Sequence, residues 1–402
     1  MDFNIRPDFA RLTRELPGIR SAMGEVGLDA WLLYDLHARN SVATSLLGMG
    51  DLSRRYFVLV PREGDPIAVI HGIEEAPWAA WPWEKRSYVG WRELDETLAE
   101  LLRERGRVAM EFAERDAVPA VDLVPAGVVE LVRSAGAQVV SSGDLLTRFY
   151  ASWSEADLDA HRRAARACAD VARETFARIA DDVRSGRTVT EGIASDWVVE
   201  SLSRRGFPVE AGCIVAKGPN AADPHYSPIN GGATFEEGEV VLLDLWAKES
   251  EDSVFADQTW MAYLGSAVPD RTAKLFTIIR DARDAAVELL QSAWKDGRAL
   301  QGSEVDDVTR AVITDQGYGA FFIHRTGHSI DRAIHGMGPN IDNLETRETR
   351  RLVPGVGFSI EPGIYLAGEI GVRTEINVFM GANGPEVTTP EPQTAMFTLF
   401  SR

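Results

Sequence analysis

Side chains that can bind metal or move protons are concentrated near the end of the chain, between Phe322 and Asn377. The segment FIHRTGHSIDRAIHG supplies three histidines, and FSIEPGIY and GVRTEINV each supply one glutamate in or beside an apolar run typical of a strand. Imidazoles and carboxylates in such protected positions can hold a metal ion or transfer a proton. The residues are His324, His328, His335, Glu361 and Glu375.

Two aspartates further upstream belong with this group. Asp244 and Asp257 flank a polar turn in VVLLDLWAKESEDSVFADQTW. If the turn is centred on Ser250 and Glu251, antiparallel pairing places Asp244 directly opposite Asp257. Opposed like charges repel, so two apolar strands would avoid the pair unless a cation lies between them. We therefore predict a metal site beside this hairpin.

Four carboxylates with one imidazole make an oxygen-rich set of ligands. Such a set suits two divalent ions, for example Mn, Co, Fe or Zn, better than a structural zinc, which prefers thiolates. Two ions about 3.5–4 Å apart can hold a bridging water, lower its pKa and polarise a carbonyl group. The residues therefore indicate metal-dependent hydrolysis of an amide. Taken singly, each aspartate is also typical of a strand end, and Arg373 could be a structural partner of Glu375.

Two predicted domains carry these residues. Strand-like runs beginning at Trp31, Tyr56, Ile67 and Val108 alternate with helical stretches, which predicts an α/β domain over residues 1–150. Its tryptophans 78, 81, 83 and 91 are predicted to pack under a loop.

Residues 151–402 are predicted to form a second, α+β domain that carries all the candidate site residues. Ser154 is the predicted N-cap of a long helix, and Thr188 with Glu191 has the spacing of a capping box that opens a second helix. Two further helices are predicted at about 270–296 and 303–317, before a strand-rich end from Phe321.

Composition excludes several classes of function. The 402 residues carry a formal net charge of -19, which argues against binding to nucleic acid or to an anionic membrane. The start of the chain lacks an apolar signal segment, and no later run has the length of a membrane span. Two cysteines are too few for a disulfide framework. These features predict a cytoplasmic protein.

The order of the candidate ligands resembles a known enzyme family. Asp244, Asp257, His328, Glu361 and Glu375, within HRTGHSI, EPGIY and GVRTE, look like the five ligands of the pita-bread metallopeptidases. This is the family of methionine aminopeptidase, prolidase and aminopeptidase P. PNAADPHY resembles its upstream histidine motif. The first domain is similar to the creatinase-like N-terminal domain of the prolidase and aminopeptidase P branch.

The resemblance implies a role for each residue. The five ligands would hold two divalent metal ions, with manganese favoured and with Asp257 and Glu375 bridging. Glu361 would also be the general base, and His335 would stabilise the tetrahedral intermediate. His225 and His324 would line the substrate pocket. His324 and His335 would both bind the substrate and take part in catalysis. Arg373 would stand beside the last ligand and the substrate.

The resemblance also implies a fold and a substrate. The fold would be a creatinase-like α/β domain followed by an α+β pita-bread catalytic domain, and the protein would be a homodimer. The substrate would be a proline-containing dipeptide or short peptide, cleaved at the Xaa-Pro bond by a metal-bridging water. The choice between a dipeptidase and an aminopeptidase stays open.

Some positions depart from the family pattern. Gln258 and Trp260 replace the usual isoleucine and arginine, Ser329 and Asp331 replace two glycines, and Gly336 stands where an acidic residue commonly follows the histidine. We expect these changes to affect the substrate pocket. Because members of this fold can carry other chemistry or lose their ligands, the alternatives are the same fold with other chemistry, either a creatinase-like amidinohydrolase or a metal-dependent lyase, or a non-catalytic binding module. A serine hydrolase is disfavoured, because GHSID lacks the second glycine of a nucleophile elbow.

Overall fold

A division between Tyr150 and Ala151 separates the chain into two units, each with its own internal packing. The structure is a computed structural model that describes residues 7–208 and 213–400.

The first unit is built on a mixed sheet with the strand order β4-β3-β2-β1-β5-β6. β1 is antiparallel to β2 and parallel to β5. Its predicted strands and helices are confirmed. The elements are α1 (Ala10–Glu25), β1 (Ala30–Asp35), α2 (Ser41–Leu47), β2 (Tyr56–Pro61), β3 (Ile67–His71), β4 (Glu84–Tyr88), α3 (Trp91–Leu102), β5 (Arg107–Met110), α4 (Ala126–Ser134), β6 (Gln138–Ser141) and α5 (Gly143–Phe149).

The tryptophan-rich stretch of this unit divides into buried and exposed members. Trp78 and Trp81 are buried, and their rings contact Phe9 with centroid separations of 5.7 and 5.0 Å. Trp91 is exposed, and the guanidinium of Arg92 lies over its ring. The predicted packing is therefore confirmed for Trp78 and Trp81 and wrong for Trp91.

The second unit begins with helices and ends with strands. Its elements are α6 (Glu155–Arg184), α7 (Glu191–Arg204), β7 (Ile214–Lys217), β8 (Val240–Ala247), β9 (Ala256–Tyr263), α8 (Asp270–Lys295), α9 (Gly302–Asp315), β10 (Ser329–Ile330), β11 (Gly357–Ile360), β12 (Gly363–Leu366), β13 (Ile370–Arg373), β14 (Ile376–Gly381), β15 (Gly384–Val387) and β16 (Phe397–Thr398). One sheet has the order β16-β9-β8-β7, a second has the order β10-β11-β14-β15, and β12 pairs with β13.

The long helix α6 starts at the predicted cap. The hydroxyl oxygen of Ser154 accepts a hydrogen bond from the backbone N–H of Asp157, and the carboxylate of Asp157 accepts one from the N–H of Ser154. Small buried side chains such as Ala164, Ala165 and Cys168 let the helix pack closely against the sheet that carries β8 and β9. The cap prediction is confirmed.

The predicted cap of α7 is wrong by two residues. The N-cap is Thr190, whose hydroxyl oxygen accepts a hydrogen bond from the N–H of Ile193. The chain is still extended just before it, because the carbonyl of Val189 accepts a hydrogen bond from the N–H of Phe235. The carboxylate of Glu191 turns inward and accepts from the N–H of Lys217, so it does not complete a capping box.

The hairpin of β8 and β9 has a different register from the one predicted. Asp244 pairs with Thr259, and Trp246 pairs with Asp257, so the two aspartates are diagonal neighbours and not direct partners. The loop at 248–255 is held by contacts from elsewhere, because the N–H of Phe255 donates to the carbonyl of Asp331. Residues two apart on a strand share a face, so both aspartates still point to the same side.

The segment VRTEINV is not one strand, as the alternating pattern predicts. β13 ends at Arg373 and β14 begins at Ile376, and the two strands belong to different sheets. Glu375 lies in the break between them, where its N–H approaches the carbonyl of Thr259 at 3.3 Å. The break brings the carboxylate of Glu375 to β9.

The described residues include no helix that is both long and apolar enough to cross a membrane.

His161 of α6 is a fully buried histidine away from the candidate ligands. Its Nδ1 lies 2.6 Å from the carbonyl oxygen of Phe255, and its Nε2 lies 2.7 Å from the hydroxyl oxygen of Thr388. Nδ1 must carry the hydrogen, because a carbonyl oxygen can only accept. Burial lowers the pKa of His161 from 6.5 to about 4, so the ring is neutral at pH 7.

This histidine predicts a loss of stability in mild acid. Between pH 6.5 and about 4 the unfolded chain binds a proton at His161 that the folded protein does not, so stability falls as the pH falls through this range. We expect a loss of about 2 kcal/mol between about pH 7.5 and about pH 5 that is absent in His161→Gln. Urea unfolding of the metal-free protein measures the difference. His37→Gln, at an exposed position, is the control, and an unchanged pH dependence in His161→Gln contradicts the prediction.

Candidate metal centre

Three buried residues from separate parts of the second unit meet at one point. Asp257 comes from β9, His328 immediately precedes β10, and Glu375 lies between β13 and β14. Each of them offers one ligand atom, and these atoms all lie within 4.8 Å of one another. The fold therefore brings together two carboxylates and an imidazole that lie far apart in the sequence.

The imidazole of His328 faces two carboxylates. Its Nδ1 lies 3.1 Å from the carbonyl oxygen of Ser329 and donates to it, which leaves Nε2 on the opposite side of the ring. Nε2 lies 3.4 Å from Oδ2 of Asp257 and 3.4 Å from Oε1 of Glu361. In the neutral ring all three of these atoms are acceptors, so the arrangement needs a cation or a proton between them.

Two carboxylate oxygens at this point have no hydrogen-bond partner among the described residues. They are Oδ1 of Asp257 and Oε1 of Glu375, and both are buried. A buried carboxylate oxygen without a donor is costly, and a bound cation would supply the missing partner. The donor set is rich in oxygen with one imidazole nitrogen, as hard divalent ions prefer. The residues present therefore fit divalent metal.

The electrostatics of the carboxylates agree with this interpretation. Burial raises the pKa of Asp244 to about 7, although the guanidinium of Arg373 opposes the shift. Burial also raises the pKa of Asp257, and it raises that of Glu375 well above its usual range, with the charge of Asp257 adding to the effect. These carboxylates disfavour their own ionisation without a cation, so binding of metal would release protons.

Asp244 does not join the group of three and pairs with Arg373 instead. The Nη2 of Arg373 donates to Oδ2 of Asp244, and its Nε donates to the hydroxyl of Thr259 at 3.0 Å. The hydroxyl of Thr259 in turn donates to Oε2 of Glu375 at 2.9 Å. Arg373 is therefore the direct partner of Asp244, and it reaches Glu375 only through Thr259.

Glu361 adjoins the group through Ser359. The hydroxyl of Ser359 donates to Oε1 of Glu361 at 3.1 Å and accepts a hydrogen bond from the backbone N–H of His328 at 3.0 Å. Burial raises the pKa of Glu361, but the electrostatic influence of the nearby imidazoles of His328 and His324 and of the guanidinium of Arg373 outweighs it, and the pKa lies below its usual range. Glu361 is therefore an ionised carboxylate that can accept a proton.

His324 belongs to a hydrogen-bonded chain beside Glu361. Its Nδ1 donates to the carbonyl of Arg325 at 2.7 Å, so its Nε2 accepts from the hydroxyl of Tyr365 at 2.7 Å. An Nη1 of Arg373 donates to the same tyrosine oxygen at 3.4 Å. The chain fixes the ring of His324 and connects it to the Arg373–Asp244 pair.

The two remaining histidines are exposed. The ring of His335 lies edge-on to that of His328, with the centroids 4.4 Å apart. His225 follows the short turn Gly218–Ala222, where its backbone N–H donates to the side chain of Asp223. Within residues 7–208 and 213–400, the imidazole of His225 forms no hydrogen bond with the other candidate site residues. The structure thus brings His335 to His328 and leaves His225 on a surface loop.

The sequence of the second unit matches that of a known enzyme family. Residues 159–382, more than half of the chain, match the sequence profile of metallopeptidase family M24. The chain belongs to metallopeptidase family M24. The resemblance predicted from the ligand order is therefore confirmed. Membership implies a metallopeptidase that uses divalent metal ions and acts on peptides.

Two curated relatives show how far the similarity extends. The "Probable dipeptidase PepE" of Mycobacterium tuberculosis is 27% identical over 332 residues, which cover 81% of each chain. The "Xaa-Pro dipeptidase" of Lactobacillus delbrueckii subsp. lactis is 39% identical over 162 residues, which cover 40% of each chain. The similarity therefore extends over most of this chain and is higher over a shorter part.

The fold also matches a solved structure. Dipeptidase PepE from Mycobacterium ulcerans superposes with a TM-score of 0.70 at 24% identity, and the match covers 98% of this chain and 99% of that one. The overall architecture is therefore the predicted one, a mixed α/β unit followed by an α+β pita-bread unit.

The sequence interpretation missed several residues of this M24 site. Thr259 lies two residues after Asp257, so the alternation of the strand could have placed it on the same face. The side chain of Asn377 accepts from the N–H of Asp257 at 2.9 Å and donates to its carbonyl at 2.6 Å, which fixes that part of β9. Ser359 and Tyr365 stand within the motifs around Glu361, but their hydrogen bonds depend on pairing that a single sequence does not reveal.

Two departures from the family pattern lie away from the site. Gln258 donates to the carbonyl of Ala165 on α6 and accepts from the indole N–H of Trp260, both at 3.0 Å. The two side chains are therefore on the α6 face of β9, opposite to Asp257. The expectation that these two changes affect the pocket is wrong, because successive residues of a strand point to opposite faces.

Proposed function

We propose that the protein hydrolyses the Xaa-Pro bond in dipeptides or at the N-terminus of short peptides, with two divalent metal ions. The observation that carries this proposal is the meeting of His328 Nε2 with the carboxylates of Asp257 and Glu361, next to two buried carboxylate oxygens that lack partners. A metal site rich in oxygen ligands, with an ionised glutamate beside it, can activate a water molecule for hydrolysis.

The proposed ligands are the five residues predicted from the sequence, which would hold the two ions, and Asp257 and Glu375 would serve both of them. When bound, the ions would polarise the scissile carbonyl and lower the pKa of the attacking water. Asp257 and Glu375 belong to the group of three that meet at one point, and each has one buried oxygen without a hydrogen-bond partner among the described residues, which supports their assignment as ligands. The full set is Asp244, Asp257, His328, Glu361 and Glu375.

Glu361 is the proposed proton carrier. Its carboxylate would accept a proton from the attacking water and then donate it to the nitrogen of proline as the C–N bond breaks. The hydroxyl of Ser359 holds Oε1 in place for this transfer. The low pKa of Glu361 supports the role of acceptor, because the group must be ionised before the reaction begins.

The histidines are proposed to act on the substrate. His335 presents an exposed ring next to His328, where it could donate a hydrogen bond to the oxyanion of the tetrahedral intermediate. His324 is held by Tyr365 and would contact the substrate from the other side, with Arg373 behind it. His225 would reach the substrate from its surface loop.

The choice of proline as the residue after the cleaved bond rests on the relatives. The Lactobacillus relative is named an Xaa-Pro dipeptidase, and the mycobacterial relative a probable dipeptidase. We also propose that residues 1–150 are the creatinase-like domain, that residues 151–402 are the catalytic domain, and that the protein is a cytoplasmic homodimer with manganese as its preferred ion.

One experiment tests the proposed function. Protein loaded with Mn, Co, Zn or Fe is assayed on Xaa-Pro dipeptides, longer Xaa-Pro peptides, matched Xaa-Ala peptides and peptides with N-terminal methionine. We expect proline-dependent cleavage that is lost on chelation and restored by metal, with about two ions per chain by metal analysis. Absence of bound metal, or cleavage that does not depend on proline, overturns the proposal. Light scattering of the same sample measures the oligomeric state.

A further inference from the structure

The segment that carries His335 doubles back on itself. Gly327 and Ile341 exchange both of their backbone hydrogen bonds, at 3.1 and 3.0 Å, and further along the N–H of Gly336 donates to the carbonyl of Ser329 at 2.7 Å. Residues 327–331 and 336–341 thus form two antiparallel arms, which we call the His335 loop. His328 lies at the base of the first arm, and His335 lies beside the tip.

Side chains on the first arm occupy space that side chains on the second arm would need. A Cβ atom added at Gly336 would lie 2.7 Å from both Cγ and Oδ2 of Asp331, and one added at Gly338 would lie 2.5 Å from Oγ of Ser329. Neither glycine has a positive φ angle. The backbone conformation does not require glycine at either position. At these two positions, the side chains of Ser329 and Asp331 on the first arm already occupy the space that a Cβ atom on the second arm would need.

Asp331 uses this space to hold the tip of the loop. Its Oδ1 accepts from the backbone N–H of Ala333 at 2.7 Å, and its Oδ2 accepts from the N–H of Met337 at 2.9 Å. The two donors lie on either side of His335 in the sequence. Asp331 is 6% exposed, and hydrogen bonds from N–H groups to a buried carboxylate are stronger than neutral ones.

The base of Asp331 is fixed as well. Its carbonyl accepts a hydrogen bond from the N–H of Phe255, next to the strand that carries Asp257. The carbonyl of Arg332 accepts from Nζ of Lys248 in the same hairpin. Asp331 therefore connects the tip of the His335 loop to the hairpin that carries two of the proposed metal ligands.

We propose that Asp331 is a positioning residue that holds the imidazole of His335 over the metal site, and that it can do so only because residue 336 is glycine. The proposal rests on the role of His335 in the proposed function. It also gives one explanation for two departures from the family pattern, Asp331 for glycine and Gly336 for an acidic residue. Compared with the family pattern, the carboxylate stands on the first arm instead of the second, and the glycine stands on the second arm instead of the first.

The experiment is a transposition cycle of Asp331→Gly, Gly336→Asp and the double variant. We expect each single variant to lower kcat by about 10- to 100-fold with little change in KM or in bound metal, because a displacement near 1 Å of a group acting on the transition state costs about that much. The double variant should recover most of the loss, because the carboxylate then enters the same space from residue 336. If the loss of kcat in the double variant equals the product of the two single losses, residues 331 and 336 are not coupled and the proposal is overturned.

A second cycle separates positioning of His335 from general stability. In a His335→Ala background, Asp331→Gly should lower kcat no further, because the group that it positions is absent. A full additional loss in that background shows that Asp331 acts by another route and overturns the proposal. Gly265→Ala is the matched control, since its Cβ would lie 2.6 Å from the ring of Tyr263, outside the site. It should lower the melting temperature and leave kcat unchanged.

Failure of this proposal can be distinguished from failure of the proposed function. Melting temperatures of the four proteins of the transposition cycle, with the wild type included, measure the coupling of residues 331 and 336 without any substrate. We expect the single variants to melt lower than the wild type and the double variant to recover. If the changes in melting temperature of the two single variants simply add in the double variant, residues 331 and 336 are not coupled, and the proposal is overturned even if the protein cleaves Xaa-Pro peptides. If the melting temperature recovers in the double variant but the protein cleaves no Xaa-Pro peptide, the coupling of residues 331 and 336 is supported and the proposed function is overturned.

Discussion

Replacing Glu361 with glutamine should lower kcat on an Xaa-Pro dipeptide by about 10²–10⁴-fold. The amide cannot accept a proton from the attacking water, whereas its oxygen can still accept the hydrogen bond from Ser359. The other four proposed ligands are unchanged, so most of the bound metal should remain. Steady-state kinetics and metal analysis of the same preparation measure the two effects separately.

Glu369→Gln is the matched control for this variant. Glu369 lies in the turn between β12 and β13, and β12 is the strand that follows Glu361. The exposed carboxylate of Glu369 pairs with Arg271. The same chemical change there should leave kcat unchanged, because exposed ion pairs contribute little. Undiminished turnover in Glu361→Gln contradicts its role as the general base. Loss of both metal and turnover assigns it to metal binding alone.

Replacing Arg373 with methionine should destabilise the metal-free protein by about 3–5 kcal/mol at a pH above about 7, where Asp244 is ionised in the wild type, because it leaves this carboxylate buried without its partner. The side chain of Arg373 is 4% exposed, and that of Asp244 is 13% exposed. The change also removes the donor to Thr259, which supports Glu375. Groups that orient metal ligands typically contribute 10- to 100-fold to metal affinity or activity, and we expect a loss of about this size.

Denaturant unfolding with and without added divalent metal tests this second variant. Bound metal would supply positive charge next to Asp244, so the destabilisation should be smaller in the loaded protein. Arg373→Lys is the informative companion. It keeps the charge but not the planar group that reaches Asp244 and Thr259 together, and should fall between the wild type and Arg373→Met. Equal stability of the wild type and Arg373→Met shows that the pair with Asp244 contributes nothing to folding.

Local sequence was sufficient for the family and for most elements. The aspartates, the histidine and the glutamates stand in short segments that can be recognised one by one, and their order along the chain predicted the M24 fold that the comparisons confirm. The cap at Ser154 follows from residues within a single helical turn. Features of this kind need only neighbours in the sequence, so a single sequence reveals them.

Contacts between distant residues decided what the sequence left open. The β8–β9 hairpin pairs Asp244 with Thr259, so Asp244 and Asp257 are diagonal neighbours instead of direct partners, and the end of its loop is bonded to Asp331 through the N–H of Phe255. Because the chain breaks between β13 and β14, Arg373 donates a hydrogen bond to Asp244, while Glu375 accepts one from Thr259. A strand period predicts the face of a residue, but the register and the partner depend on where the other segments pack.

The sequence by itself determined which side chains are available to hold metal and move a proton, because residue types and their local motifs do not depend on packing. Only the tertiary structure decided how they are held. It placed His328 Nε2 next to the carboxylates of Asp257 and Glu361. It also placed the carboxylate of Asp331 in the space that a side chain at residue 336 would need. Both arrangements join chain segments that meet only after folding, and steric exclusion between them cannot be read from either segment alone.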